Sequence, residues 1–313
     1  MAGKPFRFGV QVARGENRAD WEDKARRAEA LGYDVLATVD HFTDVFAWSP
    51  AIVAAANVTT TLRFCPYVLD NDFRHPAVLA QDAATVDILT DGRLELGLGA
   101  GWLGSDYART GIPFERAGVR VGRLFESVGI IKRYFTDETV TFAGEHYRID
   151  GLPGNPKPAQ RPHPPLILGG GGPRILSFAA READIIGLIW KSKPDGSGFD
   201  RNDGSPEGFD RKVATVRTAA GDRFDNLEFN VLLERFALTD GAAATASAVE
   251  QAAAEWDVPA DTVRDSPVTL FGGVEDMAAK LLAGRDRYGI SYLTVREPDM
   301  ESFASIIAAL DGK

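Results

Sequence analysis

A run of four glycines is the strongest chemical signal in the sequence. It follows a short apolar strand-like segment, and Pro173 and Arg174 open a helical segment directly after it. Glycines allow the backbone to approach a ligand closely, and the free N–H groups at a helix start favour a phosphate. Arg174 can add a charge-assisted contact. The run predicts a phosphate site, with a tight strand-to-helix turn as the alternative. Its members are Gly169, Gly170, Gly171 and Gly172.

His41 is the candidate acid or base. The sequence has four histidines, and none is paired at the close spacing that metal barrels use, so no metal site is predicted. His41 directly follows the predicted strand Val35–Val39. Imidazole donates or accepts a proton near neutral pH, which suits catalysis. The alternative is a histidine that orients a loop by bonding to backbone.

Two tryptophans and several polar side chains complete the candidate site. Trp102 and Trp190 follow predicted strands and can form the walls of a planar ligand pocket, although plain hydrophobic side chains at the rim would look the same. Glu16 and Asp70 follow the first and third strands. Polar residues in these positions are expected in a parallel barrel, because its active site lies on the loops after the strands.

These residues need a parallel barrel to bring them together. Short runs rich in β-branched and aromatic residues alternate with segments of helical periodicity, giving about eight βα units. We therefore predict a (β/α)8 TIM barrel that forms a single domain over residues 1–313. The predicted strands are Phe6–Val12, Val35–Val39, Leu62–Leu69, Leu94–Leu98, Leu166–Leu168, Ile185–Ile189, Leu227–Leu233 and Tyr292–Val295. The predicted helices are Asp20–Leu31, Ser49–Asn57, Pro76–Leu89, Val119–Tyr134, one from Pro173, Phe209–Ala220, Val274–Tyr288 and Met300–Leu310.

Three stretches depart from this alternation. The segment from Gly99 to Phe114 is predicted to be loop. Residues 136–165 form an insertion after the fourth helix, with a hairpin over Val140–Ile149 that turns at Ala143-Gly144. Residues 191–208, after strand six, are too polar and glycine-rich to pack, which predicts a mobile loop over the site. An alanine-rich helical region lies between strand seven and Val274.

Composition narrows the class of partner. The chain has 313 residues and a formal net charge of −10, with no block of basic residues, which argues against nucleic acid and anionic membranes. It has a single cysteine, so no intramolecular disulfide forms, and no apolar run has transmembrane length. We expect a cytoplasmic protein that acts on a small molecule.

Five motifs in order resemble the luciferase-like monooxygenase superfamily over nearly the whole chain. They are Asp40-His41-Phe42, Phe73–Gln81 with Ala83–Thr85, Gly92–Trp102, Gly111–Phe114 and Gly169–Arg174. Any one of them alone would be weak. The resemblance implies the barrel fold with an insertion, and within the superfamily it is strongest to the branch that uses the deazaflavin coenzyme F420.

The resemblance also implies roles for individual residues. In the family the flavin ring rests on a non-prolyl cis peptide late in strand three, which corresponds here to Tyr67–Val68, with Asp70 following as a cofactor contact. Pro66, just before it, replaces the small residues usual in the family. The family phosphate site corresponds to Gly169–Gly172, and the histidine of F420 dehydrogenases to His41. Trp102 stands where some of those enzymes have a glutamate.

The expected function is therefore hydride transfer between coenzyme F420 and a small organic substrate, in a homodimer. An FMN-dependent monooxygenase on the same barrel is the first alternative, because FMN forms an oxygen adduct that a deazaflavin disfavours. The second is a flavin-binding protein without catalytic activity. The substrate itself cannot be predicted, because loops form the pocket walls.

Overall fold

The computed structural model describes residues 4–313, which fold around one parallel sheet. The strands are β1 Arg7–Gln11, β2 Val35–Thr38, β3 Arg63–Pro66, β4 Leu69–Asp70, β5 Leu96–Gly99, β6 Thr139–Ala143, β7 Arg148–Pro153, β8 Leu166–Gly170, β9 Ile185–Leu188, β10 Glu228–Leu232, β11 Arg235–Leu238, β12 Thr269–Gly272 and β13 Ile290–Arg296. Nine of them form this sheet in the order β3-β2-β1-β13-β10-β9-β8-β5-β4, all parallel.

Helices alternate with the strands along the chain. They are α1 Arg18–Ala30, α2 Trp48–Ala56, α3 Pro76–Leu89, α4 Gly104–Thr110, α5 Ala117–Thr136, α6 Pro173–Glu182, α7 Pro206–Ala220, α8 Ala242–Trp256, α9 Ala260–Asp265, α10 Val274–Tyr288 and α11 Met300–Leu310. In α1 the side chain of Asn17 caps the amide of Asp20, and Trp21, Ala25 and Ala28 form its buried stripe. No helix within residues 4–313 is both long and apolar enough to cross a membrane.

The sheet closes into an eight-stranded barrel. β3 and β4 are two halves of one barrel strand, separated by Tyr67 and Val68, so the nine strands occupy eight positions. A parallel bridge between Phe64 and Leu94 joins the β3 edge to the segment before β5 and completes the closure. The predicted TIM barrel is confirmed.

Two apolar clusters form the core. The larger one lies between the sheet and the surrounding helices. The smaller one contains Val35, Cys65, Ile167, Ile185 and Tyr292, from strands that are not all neighbours, so these side chains meet inside the barrel. Such a filled interior is typical of TIM barrels and leaves the strand ends to carry the site.

Buried charges close the opposite, amino-terminal end of the barrel. Glu95, 1% exposed, accepts from Arg7 and from Arg63 Nε, the latter at 2.8 Å. Arg7 Nη1 also donates to Glu228 Oε2 at 2.7 Å. Buried charges are tolerated when they are paired in this way.

Three predicted segments need correction. The stretch from Gly99 to Phe114 is not all loop, because it contains α4, which is too short to show periodicity and ends at Gly111 with φ +74°. The hairpin after α5 is present as β6 and β7, but its turn spans Gly144–Tyr147, where the Gly144 amide donates to the Tyr147 carbonyl. The region called alanine-rich and helical also contains a two-stranded parallel sheet, β11 with β12.

The predicted loop 191–208 is shorter than expected. Its second half forms a 3₁₀ turn at Arg201–Gly204 and the first turn of α7, which begins at Pro206. Asp203 is 5% exposed and lies 2.5 Å from Lys212 Nζ. This pairing lets a polar segment pack, so the expectation that all of 191–208 was too polar to pack is wrong.

Candidate functional site

A cavity of about 910 Å³ opens at the carboxyl ends of the barrel strands. Its walls come from residues that follow strands on every side of the barrel, from β1 to β13. This is the end where barrel enzymes carry their active sites. Eleven of the twelve side chains or glycines singled out in the sequence line it; they are His41, Tyr67, Val68, Asp70, Trp102, Gly169, Gly170, Gly171, Gly172, Arg174 and Trp190.

Glu16 is the exception. Its side chain is exposed and is not among the residues that line the cavity. Its backbone amide donates to Asp20 Oδ2 at 2.8 Å, which ties it to the start of α1. The prediction that Glu16 belongs to the substrate pocket is therefore corrected.

The floor of the cavity is the peptide between Tyr67 and Val68. This bond is cis, at the position that the family resemblance implies, and Pro66 does not displace it. A Cβ on Gly99 would lie 2.8 Å from Val68 Cγ2, and one on Gly97 would lie 3.0 Å from Val68 Cγ1. Gly99 therefore makes room for the Val68 side chain, whereas Gly97 is required first by the Pro66 carbonyl oxygen, which a Cβ would meet at 2.2 Å. The Tyr67 hydroxyl reaches Asn230 on β10.

The four glycines have different neighbours. A Cβ on Gly170 would lie 2.3 Å from Ile175 Cγ2, and one on Gly171 would lie 2.6 Å from the Lys191 nitrogen. These two glycines thus allow β8 to pack against α6 and the chain after β9. A Cβ on Gly172 would meet no atom within 4 Å, and Gly172 lines the cavity. Gly172 is the position where a ligand can approach the backbone.

The start of α6 offers donors beside Gly172. The Leu176 amide donates to the Gly172 carbonyl at 3.1 Å, so the preceding amides of Arg174 and Ile175 have no intrahelical acceptor. Arg174 Nη1 donates to the Gly118 carbonyl at 2.9 Å, and its guanidinium lies over the Phe125 ring. Open space, free amides and a cation together fit a phosphate.

His41 is held by a buried carboxylate. Its Nδ1 lies 2.6 Å from Asp106 Oδ2, and Asp106 is 1% exposed. The Phe42 amide donates to the other carboxylate oxygen at 3.3 Å. With Nδ1 engaged, Nε2 remains available for proton exchange. The alternative, in which His41 bonds to backbone, does not match this geometry.

Asp40, the residue before His41, holds the chain after β4 in place. Arg74 donates to both of its oxygens, at 2.7 and 2.6 Å, and the Asp70 amide donates to Asp40 Oδ2 at 2.8 Å. Asp40 therefore fixes the segment after β4. As expected from the alternation of side chains along a strand, it is not the partner of His41.

Asp70 is a buried carboxyl group in the cavity wall. It is 8% exposed, and its Oδ1 accepts from the Tyr107 hydroxyl at 3.0 Å and from the Asp72 amide at 2.9 Å. Burial, with smaller contributions from the carboxylates of Asp72 and Asp40, raises the pKa of Asp70 to about 7. Near neutral pH this side chain can donate or accept a proton.

Aromatic side chains wall the cavity. The Trp102 ring lies 4.5 Å from Phe199 and 5.9 Å from the His41 ring, measured between centroids. The loop that carries Phe199 is anchored at Gly196, because the Gly104 amide donates to the Gly196 carbonyl at 3.2 Å. Trp190 is 3% exposed and packs edge-on against Trp256 at 5.0 Å.

Several cavity residues carry no functional signal in the sequence, among them Asp106, Phe199 and Arg201. Asp106 lies on α4, where the sequence predicts loop, and Phe199 lies in a segment whose composition predicts a mobile loop. Arg201 follows in the same segment and also lines the cavity. No spacing in the sequence connects Asp106 to His41, because the contact joins residues 65 positions apart.

Comparison with known proteins agrees with this geometry. The family model for luciferase-like monooxygenases matches residues 4–201. The chain belongs to the luciferase-like monooxygenase family. The resemblance inferred from the sequence motifs is thereby confirmed.

Relatives of this luciferase-like chain include enzymes with different cofactors. It is 32% identical over 176 residues to the F420-dependent glucose-6-phosphate dehydrogenase of Amycolatopsis mediterranei, covering 53% of this chain and 51% of the relative. It is 27% identical over 237 residues to the FMNH(2)-dependent dimethylsulfone monooxygenase of Pseudomonas fluorescens, covering 71% of this chain and 60% of the relative. The chain thus spans about half the length of the first relative and 60% of the second.

The fold is shared with solved structures over the full chain. The coenzyme F420 dependent tetrahydromethanopterin reductase from Methanopyrus kandleri superposes with a TM-score of 0.78, covering 98% of this chain and 100% of that chain. The two sequences are 15% identical, so this likeness shows the common barrel.

Proposed function

We propose that this protein is an oxidoreductase that transfers a hydride between coenzyme F420 and a small organic substrate. The observation that carries the proposal is the convergence on one cavity of the Tyr67–Val68 peptide, the open backbone at Gly172 and His41. F420-dependent relatives at 32% identity support the choice of cofactor.

Binding of the cofactor rests on two groups of residues. The phosphate would be held by the backbone at Gly172, by the free amides of α6 and by Arg174. The planar ring would rest on Tyr67–Val68, and bound F420 would supply the hydride chemistry. Trp102 and Phe199 line the same cavity and would limit the access of water to the bound ring, which would strengthen electrostatic interactions there.

The proton that accompanies hydride transfer is assigned to His41. Asp106 holds Nδ1, so Nε2 is the nitrogen that gives or takes the proton. The nearby carboxylate also stabilises the imidazolium when the ring is protonated. Asp70, in the same wall, is the second group able to exchange a proton near neutral pH.

An FMN-dependent monooxygenase is the second candidate. Dimethylsulfone monooxygenases that use FMNH(2) match at 27% identity over a longer stretch of this chain. The cavity features that fit F420 phosphate also fit FMN phosphate, because both sites need the same donors. A flavin-binding protein without catalysis is the third candidate.

The test is the identity of the bound cofactor. The protein should be purified from its native host, and the retained ligand identified by visible spectrum and mass, followed by titration of the apo protein with F420 and with FMN. Retention of F420, with F420 binding more tightly than FMN, is the expected result. Preferential FMN binding with oxygen consumption would establish the monooxygenase instead, and cofactor binding without any turnover across a substrate panel would favour the third candidate.

Three further expectations stand as proposals. We propose that the chain works as one barrel domain, as a homodimer, and in the cytoplasm. Val78, Ile88 and Leu89 on α3 are exposed apolar side chains, at 55%, 43% and 54%, which supports an interface there. Light scattering at several protein concentrations measures the oligomeric state.

A further inference from the structure

Arg201 is a cation in the cavity wall that stacks on two tryptophan rings. It lies in the 3₁₀ turn after β9, and its guanidinium carbon is 4.4 Å from the centre of the Trp190 ring and 5.2 Å from that of Trp256. Within residues 4–313 it forms no ion pair and no side-chain hydrogen bond. Stacking on two indoles orients the planar fork and leaves its N–H groups for another partner.

The neighbouring charges do not neutralise it. Arg296, at the end of β13, lines the cavity and lies 2.8 Å from Glu234, so that pair is balanced. Lys191 Nζ lies 3.6 Å from Asp203, and Asp203 also pairs with Lys212. Glu234 also attracts Arg201 but is already paired with Arg296, and Asp203 is shared by two lysines, so the cations on this side outnumber the carboxylates. In a chain of net charge −10, a cation that lines a cavity without an ion-pair partner is a candidate binding site for an anion.

Arg201 is distinct from Arg174, the cation beside Gly172. Arg174 donates to the Gly118 carbonyl on α5, whereas Arg201 stacks on Trp190 after β9. Both line the same cavity, and a Cβ on Gly171 would lie 2.6 Å from the Trp190 carbonyl carbon, so the two cations flank the glycine run closely. A cofactor phosphate bound by Arg174 and by the α6 amides does not require Arg201.

We propose that Arg201, stacked on Trp190 and Trp256, is an anion subsite, and that the substrate of this enzyme carries a phosphate or a carboxylate group. The inference rests on the proposed function only in calling the ligand a substrate. A planar guanidinium recognises either anion with two parallel hydrogen bonds. Arg296 and Lys191 would raise the local positive potential without giving up their own partners.

The same chemistry has two sources, because the cofactor itself carries anionic groups beyond its ring. The probes are methyl phosphate, which is anionic, and trimethyl phosphate, which is its neutral counterpart. Binding is measured by calorimetry to the apo protein and to the protein saturated with F420 or FMN. Arg201→Gln removes the charge, Arg201→Lys keeps it without the fork, and Arg211→Gln on the exposed face of α7 is the matched control.

Methyl phosphate should bind saturably to the cofactor-saturated protein, and trimethyl phosphate should not. Arg201→Gln should weaken this binding by about tenfold or more, the loss of a charged hydrogen bond, with Arg201→Lys in between and Arg211→Gln unchanged. Equal methyl phosphate affinity in the wild type and Arg201→Gln would overturn the subsite. Loss of binding on cofactor saturation would assign the anion to the cofactor tail and overturn the substrate class.

The outcome is independent of the proposed function. If neither F420 nor FMN binds, the redox proposal fails, yet the apo titrations still compare the wild type with Arg201→Gln. An unchanged melting temperature in Arg201→Gln shows that the stack on Trp190 is not required for folding, so a change in affinity reports the lost charge.

Discussion

Replacing Asp106 by asparagine tests how His41 is made ready for proton transfer. Asp106 is buried on α4, and its Oδ2 lies 2.6 Å from His41 Nδ1. The carboxylate accepts the Nδ1 proton, which leaves the lone pair on Nε2. An amide of the same shape removes the charge and can present an N–H to Nδ1, which would favour the wrong tautomer.

The size of the effect follows from the contact. A hydrogen bond to a charged group contributes about 1.5–3 kcal/mol, and a short, buried one belongs at the upper end. If this hydrogen bond stabilises the transition state, its loss in Asp106→Asn should lower turnover by about 10- to 100-fold. His41→Ala, which removes the acid or base itself, should lower turnover by about 10²–10⁴-fold while leaving cofactor affinity within about tenfold.

The assay is steady-state turnover with cofactor titration on each preparation, for both single variants and the double variant. Because Asp106 acts through His41, the double variant should be no slower than His41→Ala. Arg109→Gln is the control, since Arg109 Nη1 lies 3.8 Å from the same carboxylate on an exposed face and should contribute little. Melting temperatures show whether Phe42 and the α4 segment stay in place.

Two results would refute this reasoning. Full turnover in Asp106→Asn would mean that the carboxylate only anchors the Phe42 amide. Losses that multiply in the double variant would mean that Asp106 acts independently of His41. In either case Asp106 would not act by preparing His41, and the proton would be assigned to Asp70 or to solvent only if His41→Ala also kept full turnover.

Three other perturbations separate the remaining roles. Gly172→Val should weaken cofactor binding without lowering the melting temperature, because its side chain enters open space, whereas Gly171→Val should destabilise the fold through its 2.6 Å contact with the Lys191 backbone. Arg174→Ala should weaken cofactor binding by about 1–3 kcal/mol. Cofactor titration measures the binding, and thermal denaturation measures the stability. Burial raises the pKa of Asp70 to about 7, so between about pH 4 and 7 the folded state holds a proton that the unfolded chain has released. The free energy of unfolding should therefore fall as pH rises from about 4 to 7, by at most about 1.4 kcal/mol per pH unit, and Asp70→Asn should remove that slope in denaturant titrations. The segment 191–200 should gain amide-exchange protection when cofactor binds, because its tip is held over the cavity by the Phe199–Trp102 contact and the Gly196–Gly104 hydrogen bond. Equal protection with and without cofactor would count against a closing loop.

Much of the barrel was predictable because its signals are local. Pro76 at the first turn of α3 and Gly289 after α10 mark helix ends, and β13 is an apolar run bounded by turn residues. The cis bond at Tyr67–Val68 was predictable for a different reason, since only the family resemblance located it. Periodicity alone gave no hint that the third strand is split.

The missed features depend on contacts between distant residues. α4 has too few residues to show a hydrophobic period, so Asp106 was overlooked as the partner of His41. The segment from Arg201 to Gly208 looked unstructured because composition does not reveal that Lys212 neutralises Asp203. A polar sequence packs when its charges find partners, and these partners lie outside any short window.

The glycine run shows why residue type alone cannot assign a function. All four glycines resembled a phosphate cradle in the sequence, yet Gly170 and Gly171 are required by Ile175 and by the backbone after β9. Only Gly172 combines open space with a position beside the free amides of α6. Loss of cofactor binding in a Gly171 variant would therefore report a displaced strand end as readily as a blocked phosphate. Substitution at Gly172, where backbone φ of −91° suits any residue, separates the two explanations.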